Sequence, residues 1–337
     1  MNAMPKFQFA EQRALAPVAV LKPKRVVHPR SSRFADPCFR VGMAGCSVSL
    51  LVIVGLILLE LLTHSQMSVH RFGWQFFVGT NWNPVSGEFG ALPFIYGTLV
   101  SSLLALVIAV PFALGSALFI TELCPKQLRS TVSFLLELLA AIPSVIYGLW
   151  GIFVLAPLLR QYAEPWLADH FGWTGLFDGP PFGIGMLAAG IILAIMIIPI
   201  IGSIAREVVL AVPSSQREGV LALGATRWET VRLAILRNAR TGILGGVILG
   251  LGRALGETIA VTMVIGNTPQ ISSSLLAPGY SLASVIANEF SEATGDLYLS
   301  ALFEIGLALF LITLIVNALA RLLVWSVTRG MPARANV

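Results

Sequence analysis

Charge is scarce in this chain: Asp, Glu, Lys and Arg make up 12% of its 337 residues, whereas 56% are hydrophobic and the mean hydropathy is +0.83. A soluble domain carries about a quarter charged residues, so this composition excludes one and marks a membrane protein in contact with lipid. Cysteine is sparse as well. Cys38, Cys46 and Cys124 show no metal-ligand spacing and are expected to be free thiols without a catalytic role. The four histidines, His28, His64, His70 and His170, lie outside the long apolar runs in no ligand-like pattern, and no nucleophile–base arrangement accompanies them. A membrane enzyme therefore finds no support. A net charge of +5 could suggest nucleic acid, but the basic residues are scattered among the loops and form no single patch, so no nucleic-acid partner is expected.

What is present is a succession of six apolar runs at roughly 41–62, 93–121, 131–157, 183–206, 240–265 and 300–326. About 20 residues at the helical rise cross a bilayer, which predicts an all-α membrane protein with six transmembrane helices. Pro111, Pro143 and Pro199 fall inside these runs, where neighbouring helices can satisfy the freed backbone groups. Residues 1–40 hold eight of the 22 basic residues and read as a basic cytoplasmic tail, followed by a permease-like helical domain over 41–326 and a short cytoplasmic tail over 327–337. The first apolar run is too long for a signal peptide and has no small-residue cleavage site. Nineteen basic residues flank the runs on the side of the amino terminus and two, Arg71 and Arg160, on the other, which predicts that both termini are cytoplasmic. Trp74, Trp82, Trp166 and Trp173 then fall at the outer interface. The last external loop, about 266–300, has Glu289, Glu292 and Asp296, no basic residue and an amphipathic helix over Leu282–Phe290. It reads either as a docking surface for another protein or as a solvated face.

The loop at 207–239 is unusually well punctuated. Pro213 ends one helix, Ser215 and Glu218 have the spacing of a capping box, Gly224 suits a left-handed stop, and Thr226 with Glu229 forms a second box. A helix, a glycine break and a second helix toward Asn238 are predicted. Loops of this length are either functional or disordered, and this one reads as a coupling device. The chain cannot be its own motor, because a Walker A loop needs Gly-Lys before Ser or Thr and the four lysines follow Pro5, Leu21, Pro23 and Pro125. No cofactor is expected on this chain, and ATP is left to a separate subunit.

Within the fifth run, Gly242, Gly246, Gly250, Arg253 and Glu257 share one stripe of a helix, widened by Gly245, Gly252 and Gly256. Glycines four apart admit a second helix at close range. An arginine near the middle of a span costs about 2.5 to 3.5 kcal/mol, which argues for a use. Arg253 lines a substrate path or locks onto Glu257 or another helix; Glu257 orients the arginine or gates the path. The planar fork of guanidinium donors matches tetrahedral oxyanions, so phosphate or sulfate is the natural substrate. Thr98, Ser101, Ser102, Ser144, Tyr147, Thr258 and Asn267 could complete such a site, and each also reads as an interhelical hydrogen bond.

Gly-Leu-Gly-Arg-Ala-Leu-Gly-Glu-Thr-Ile-Ala-Val-Thr at 250–262 and Ile-Gly-Asn at 265–267 resemble the PstC-type phosphate permeases of binding-protein-dependent ABC importers. Pro-Phe-Ile-Tyr-Gly-Thr-Leu at 93–99, Ile-Pro-Ser-Val-Ile-Tyr-Gly at 142–148 and Ala-Asn-Glu-Phe at 287–290 extend the likeness, which covers about 41–326. Glu218, Gly224, Ala234 and Leu236 resemble the EAA loop of that family, with Gly219 and Val220 as departures after the glutamate and Arg237 in place of a proline. The resemblance implies a type I ABC importer permease fold in the bacterial inner membrane. It also implies ATPase coupling through Glu218, Gly219, Val220, Leu221, Leu223, Gly224 and Ala225, with phosphate passing Arg253 and Glu257. The implied partners are a PstA-type permease as heterodimer mate, a PstB-type ATPase dimer and a PstS-type phosphate-binding protein. Rival readings are a permease for another oxyanion and an ATP-independent channel or secondary transporter.

Overall fold

The computed structural model describes residues 35–328, so the basic tail as far as residue 34 and residues 329–337 of the carboxyl tail lie outside the described residues. Two units divide the chain after Leu56. In the first, the described residues form the greater part of helix α1 (Ala35–His64). The second begins at Ile57 and continues with α2 (Gln66–Phe72), α3 (Gln75–Val78) and a short antiparallel hairpin, β1 (Trp82–Asn83) and β2 (Glu88–Phe89), in which Trp82 faces Phe89. Then come α4 (Leu92–Leu118), α5 (Lys126–Ala141), α6 (Ser144–Trp150), α7 (Ala156–Leu158), α8 (Glu164–Phe171), α9 (Met186–Leu210) and α10 (Ser214–Ala222). The chain continues through α11 (Arg227–Thr230), α12 (Arg237–Gly256), α13 (Ile259–Val264), α14 (Leu282–Glu289) and α15 (Asp296–Thr328). Wide π turns extend α4 over Phe119–Leu123, join α6 to α8, and fuse α11 to α12.

Among the described residues, six helical runs are long and apolar enough to cross a membrane: Pro37–His64, Leu92–Leu123, Ser144–Thr174, Met186–Leu210, Arg227–Gly256 and Asp296–Ser326. The third differs from the sequence expectation of 131–157. Ile142 precedes Pro143 and is extended, with φ −67° and ψ 128°, because the proline ring disfavours helical backbone at the preceding residue. The helix therefore ends at Ala141. Lys126, Arg129 and Glu137 opposite Phe134, Leu135 and Leu138 make α5 a separate amphipathic helix. The Arg129 guanidinium turns back to donate to the Thr121 carbonyl at 2.7 Å, at the end of the preceding run. Pro111 and Pro199 do lie inside α4 and α9. His64 and His170 fall in the last turns of α1 and α8. Among the cysteines, Cys124 is buried, Cys38 and Cys46 are exposed, and all three are free.

The interior is organised on α9, whose Ile192, Ile197, Ile201 and Ala205 are fully buried. Its close partner is α4, which presents Ala105, Ala109, Ala113 and Ala117, one small buried residue every four positions. Such spacing brings helix backbones together where no hydrophobic difference from lipid drives association. The expected glycine stripe of α12 works in the same way against α9: Gly242 meets Val208, Gly246 meets Ile204 and Gly250 meets Ile201.

A second apolar cluster lies where the hairpin, α14 and α15 meet, formed by Phe89, Phe94, Tyr280, Leu282, Val285 and Ile305 with Trp82 and Tyr298 against it. The amphipathic helix expected at Leu282–Phe290 is α14, capped by the Ser281 hydroxyl. Glu289 belongs to neither of the two surfaces expected of its loop, because its carboxylate accepts from the Trp82 indole at 2.7 Å and the Tyr298 phenol at 2.6 Å. It is a tie between elements. Burial pushes the Tyr280 phenol above its usual value, and that phenol accepts a hydrogen bond from the Asn288 amide at 3.1 Å.

Candidate functional site

Two regions hold the functional candidates. The first is the loop after α9. Its helix α10 starts at Ser214, with Pro213 in the flanking position and no side-chain cap, so the box expected from Ser215 and Glu218 does not form. Ser215 already lies inside the helix, two residues past the capping position. The rest of the expected punctuation is present. Gly224 takes φ +85°, and Thr226 and Glu229 cap each other, the Thr226 N–H donating to the glutamate at 2.8 Å and the Glu229 N–H to the threonine hydroxyl at 3.3 Å. The second helix does not stop near Asn238. It runs on through the π turn into α12, so the loop is covalently the base of the fifth span. Glu218, Gly219, Leu221, Leu223 and Gly224 are exposed, Leu223 at 89%, while Val220 and Ala225 are partly buried.

Spacing could not reveal what holds α10 in place. Arg217 donates through Nη1 to Glu122 at 2.8 Å and through Nη2 to the Val209 carbonyl at 2.7 Å, and its partners lie 95 and eight residues away. Gln216 accepts from the Asn238 amide at 2.8 Å.

The second region is a break in the fifth span. The expected continuous helix over 240–265 ends at Gly256, Glu257 is extended with φ −73° and ψ 126°, and α13 resumes at Ile259. Arg253 is thus in the last turn of α12 and not at mid-helix, and Glu257 leaves the helical stripe. A cation there is favoured by the partial negative charge of the helix carboxyl end. The nearest guanidinium nitrogen lies 3.9 Å from the Glu257 carboxylate, with the arginine side chain 44% exposed and the glutamate 8%. Of five guanidinium donors, most remain available. Tyr147 is within electrostatic reach of Arg253, and its hydroxyl donates to the Leu139 carbonyl at 2.7 Å across the break between α5 and α6. The segments beyond the two breaks touch, because Gly148 of α6 sits against Ala260 and Met263 of α13. A span interrupted beside a charged side chain is an arrangement from which transporters build sites for charged solutes.

The other candidates separate. Thr98, Ser101 and Ser102 are buried on α4 with hydroxyls bonded to backbone: Thr98 to Phe94 at 2.8 Å, Ser101 to Thr98 at 3.4 Å and Ser102 to Thr98 at 2.7 Å. Thr98 also accepts from the Leu282 N–H at 2.9 Å, which pins the start of α14. Asn267, at φ +48°, caps α13 through the Thr262 carbonyl at 2.9 Å. Thr258 stands in the break, its hydroxyl 3.4 Å from the Gly256 carbonyl. Ser144 opens α6 and its hydroxyl has no hydrogen-bond partner among the described residues.

Residues 109–329 match the family of binding-protein-dependent transport system inner membrane components. The chain belongs to that family. This inner membrane component is 48% identical over 295 residues to the phosphate transport system permease protein PstC of Mesorhizobium japonicum, covering 86% of this chain and 90% of that one. To the protein of the same name from Haemophilus influenzae it is 48% identical over 293 residues, covering 86% and 93%. Its fold is that of type I ABC importer permeases: a bacterial ABC transporter involved in the import of the acidic polysaccharide alginate aligns over 87% of this chain and 99% of its own, with a TM-score of 0.54 and 16% identity. The family makes this a multi-pass transport component of the membrane and not an enzyme.

Proposed function

We propose that the chain is the permease subunit of an ATP-driven phosphate importer, forming half of a translocation path whose other half is a PstA-type permease. The observation that carries this reading is the half-exposed guanidinium of Arg253 at a helix break, held loosely by Glu257 and left with free donors for an oxyanion. The names of the relatives point to phosphate among oxyanions. Glu257 orients the arginine, and Thr258, Ser144 and Tyr147 stand near the same junction; Thr98, Ser101, Ser102 and Asn267 keep the scaffold around it. Both termini face the cytoplasm, with tails at 1–40 and 327–337 around the helical domain 41–326. The loop 207–239 meets a PstB-type ATPase dimer through Glu218 to Ala225. A PstS-type protein delivers phosphate on the opposite side. ATP is bound by the ATPase, and no cofactor is held by this chain.

The test is phosphate uptake by the complete assembly carrying Arg253→Gln or Arg253→Lys. Loss of charge-assisted hydrogen bonds worth about 1.5 to 3 kcal/mol predicts a fall of roughly ten- to hundredfold for the glutamine variant. The lysine variant should fall between, since it keeps the charge and loses the fork. Unchanged uptake in the glutamine variant removes Arg253 from the path. Uptake of sulfate in preference to phosphate by the wild-type assembly reassigns the substrate, and uptake without any ATPase subunit favours a channel or secondary transporter.

A further inference from the structure

We propose that Arg217 and Glu122 form a strut that carries displacement of α10 into the membrane helices, with Arg217 a positioning residue for the transport step. The inference rests on the reading of α10 as the surface that a motor subunit touches. A short helix can pass on a push through packed side chains or through directed polar bonds. In α10 no residue is buried. Beside it lies a cavity of about 440 Å³ lined by Leu118, Leu123, Leu221, Trp228 and Val231 together with Glu122 and Arg217 themselves, so no close-packed apolar contact fills that side of α10 where the push would have to travel. The polar route is complete. One planar guanidinium joins α10 to the end of the α4 run through Glu122 at 2.8 Å and to the last turn of α9 through the Val209 carbonyl at 2.7 Å.

The geometry suits a rigid link. The two bonds leave different nitrogens of one fork, whose planarity fixes their mutual angle, and the Nε of Arg217 is buried without a partner, so no third bond shares the load. The side chains of the pair are 22% and 24% exposed, which limits the screening that weakens surface pairs. The helices it joins, α4 and α9, are those packed along the alanine stripe. A second tie, Asn238 to Gln216, reaches the base of the helix whose last turn holds Arg253. From Asn238 to Arg253 is 15 residues of one helix, about 22 Å at the helical rise.

The test uses the complete assembly with Glu122→Leu, Arg217→Met and the double variant, apolar replacements that suit the cavity wall. The ATPase should still co-purify and hydrolyse ATP, while phosphate moved per ATP falls about tenfold in either single variant and no further in the double, because residues acting through one bond are not additive. Unchanged transport per ATP in the single variants, or losses that multiply in the double, overturns the strut. A structural role alone would lower the thermal midpoint without changing that ratio. A second measurement needs no phosphate and so separates failure of the strut from failure of the substrate reading: spin labels at Ser215 and Phe119 of the otherwise unaltered assembly. Their separation should be the same with and without ATP and should change with ATP once Glu122→Leu is added. A separation that changes with ATP while Glu122 is present overturns the proposal.

Discussion

At Thr98 a single hydroxyl donates to a carbonyl of its own helix and accepts the first amide of α14, nearly out of reach of solvent at 3% exposure. Thr98→Val keeps the shape and leaves the Leu282 N–H buried without an acceptor, which costs about 1 to 3 kcal/mol. A lower thermal midpoint with an unaltered half-saturation for phosphate is the expected result, and a weakened half-saturation would return Thr98 to the substrate path. Arg253 is expected to behave in the opposite way. From sequence these residues could not be ranked, because a hydroxyl turned back onto its own helix and one offered to a solute look alike in a string of letters. Arg253 and Glu257 were legible because charge inside an apolar run is conspicuous. Arg217 was not, since its meaning depends on Glu122, which only the fold brings near.

Helix ends decide most of what separates the observed elements from those read in the sequence. Thr226 and Glu229 cap α11 as expected, whereas the equally spaced Ser215 and Glu218 cap nothing, because Pro213 takes the capping position two residues earlier and the helix starts at Ser214. The break at Ile142 was available from Pro143. The one at Glu257 was masked because the run stays apolar enough on both sides of Arg253 and Glu257 to read as one span, since hydropathy registers lipid compatibility and not helical continuity. Gly224 is where a turn requires glycine, at φ +85°. Gly224→Ala should cost about 1 to 2 kcal/mol for the left-handed backbone and tilt α10 away from α11. The measurable outcome is weaker co-purification of the ATPase subunit with transmembrane assembly intact, and full retention of the ATPase would show that the α10–α11 angle does not matter for docking.

For the molecule as a whole, the corrected third span alters the count of basic residues from which the orientation is expected. Arg160 moves into a long helix, so of the two basic residues assigned to the outer side only Arg71 still lies in a connection between spans. In a background with Cys38, Cys46 and Cys124 replaced, Val85→Cys should react with a membrane-impermeant maleimide on intact cells, and Leu223→Cys only after permeabilisation. Both positions are open in the isolated chain, at 97% and 89% exposure, so the reverse pattern would invert the topology. The alanine row of α4 has a kinetic meaning as well. Side chains that small leave no rotamers to exchange and no room to slide, so α4 and α9 travel as a single pillar in any alternation between outward and inward access. The free flank of the α12 stripe, where Gly245, Gly252 and Gly256 face open space among the described residues, is then the place left for a moving seam. In an assembly of two permease subunits, a gate on that flank would need both chains to open or close.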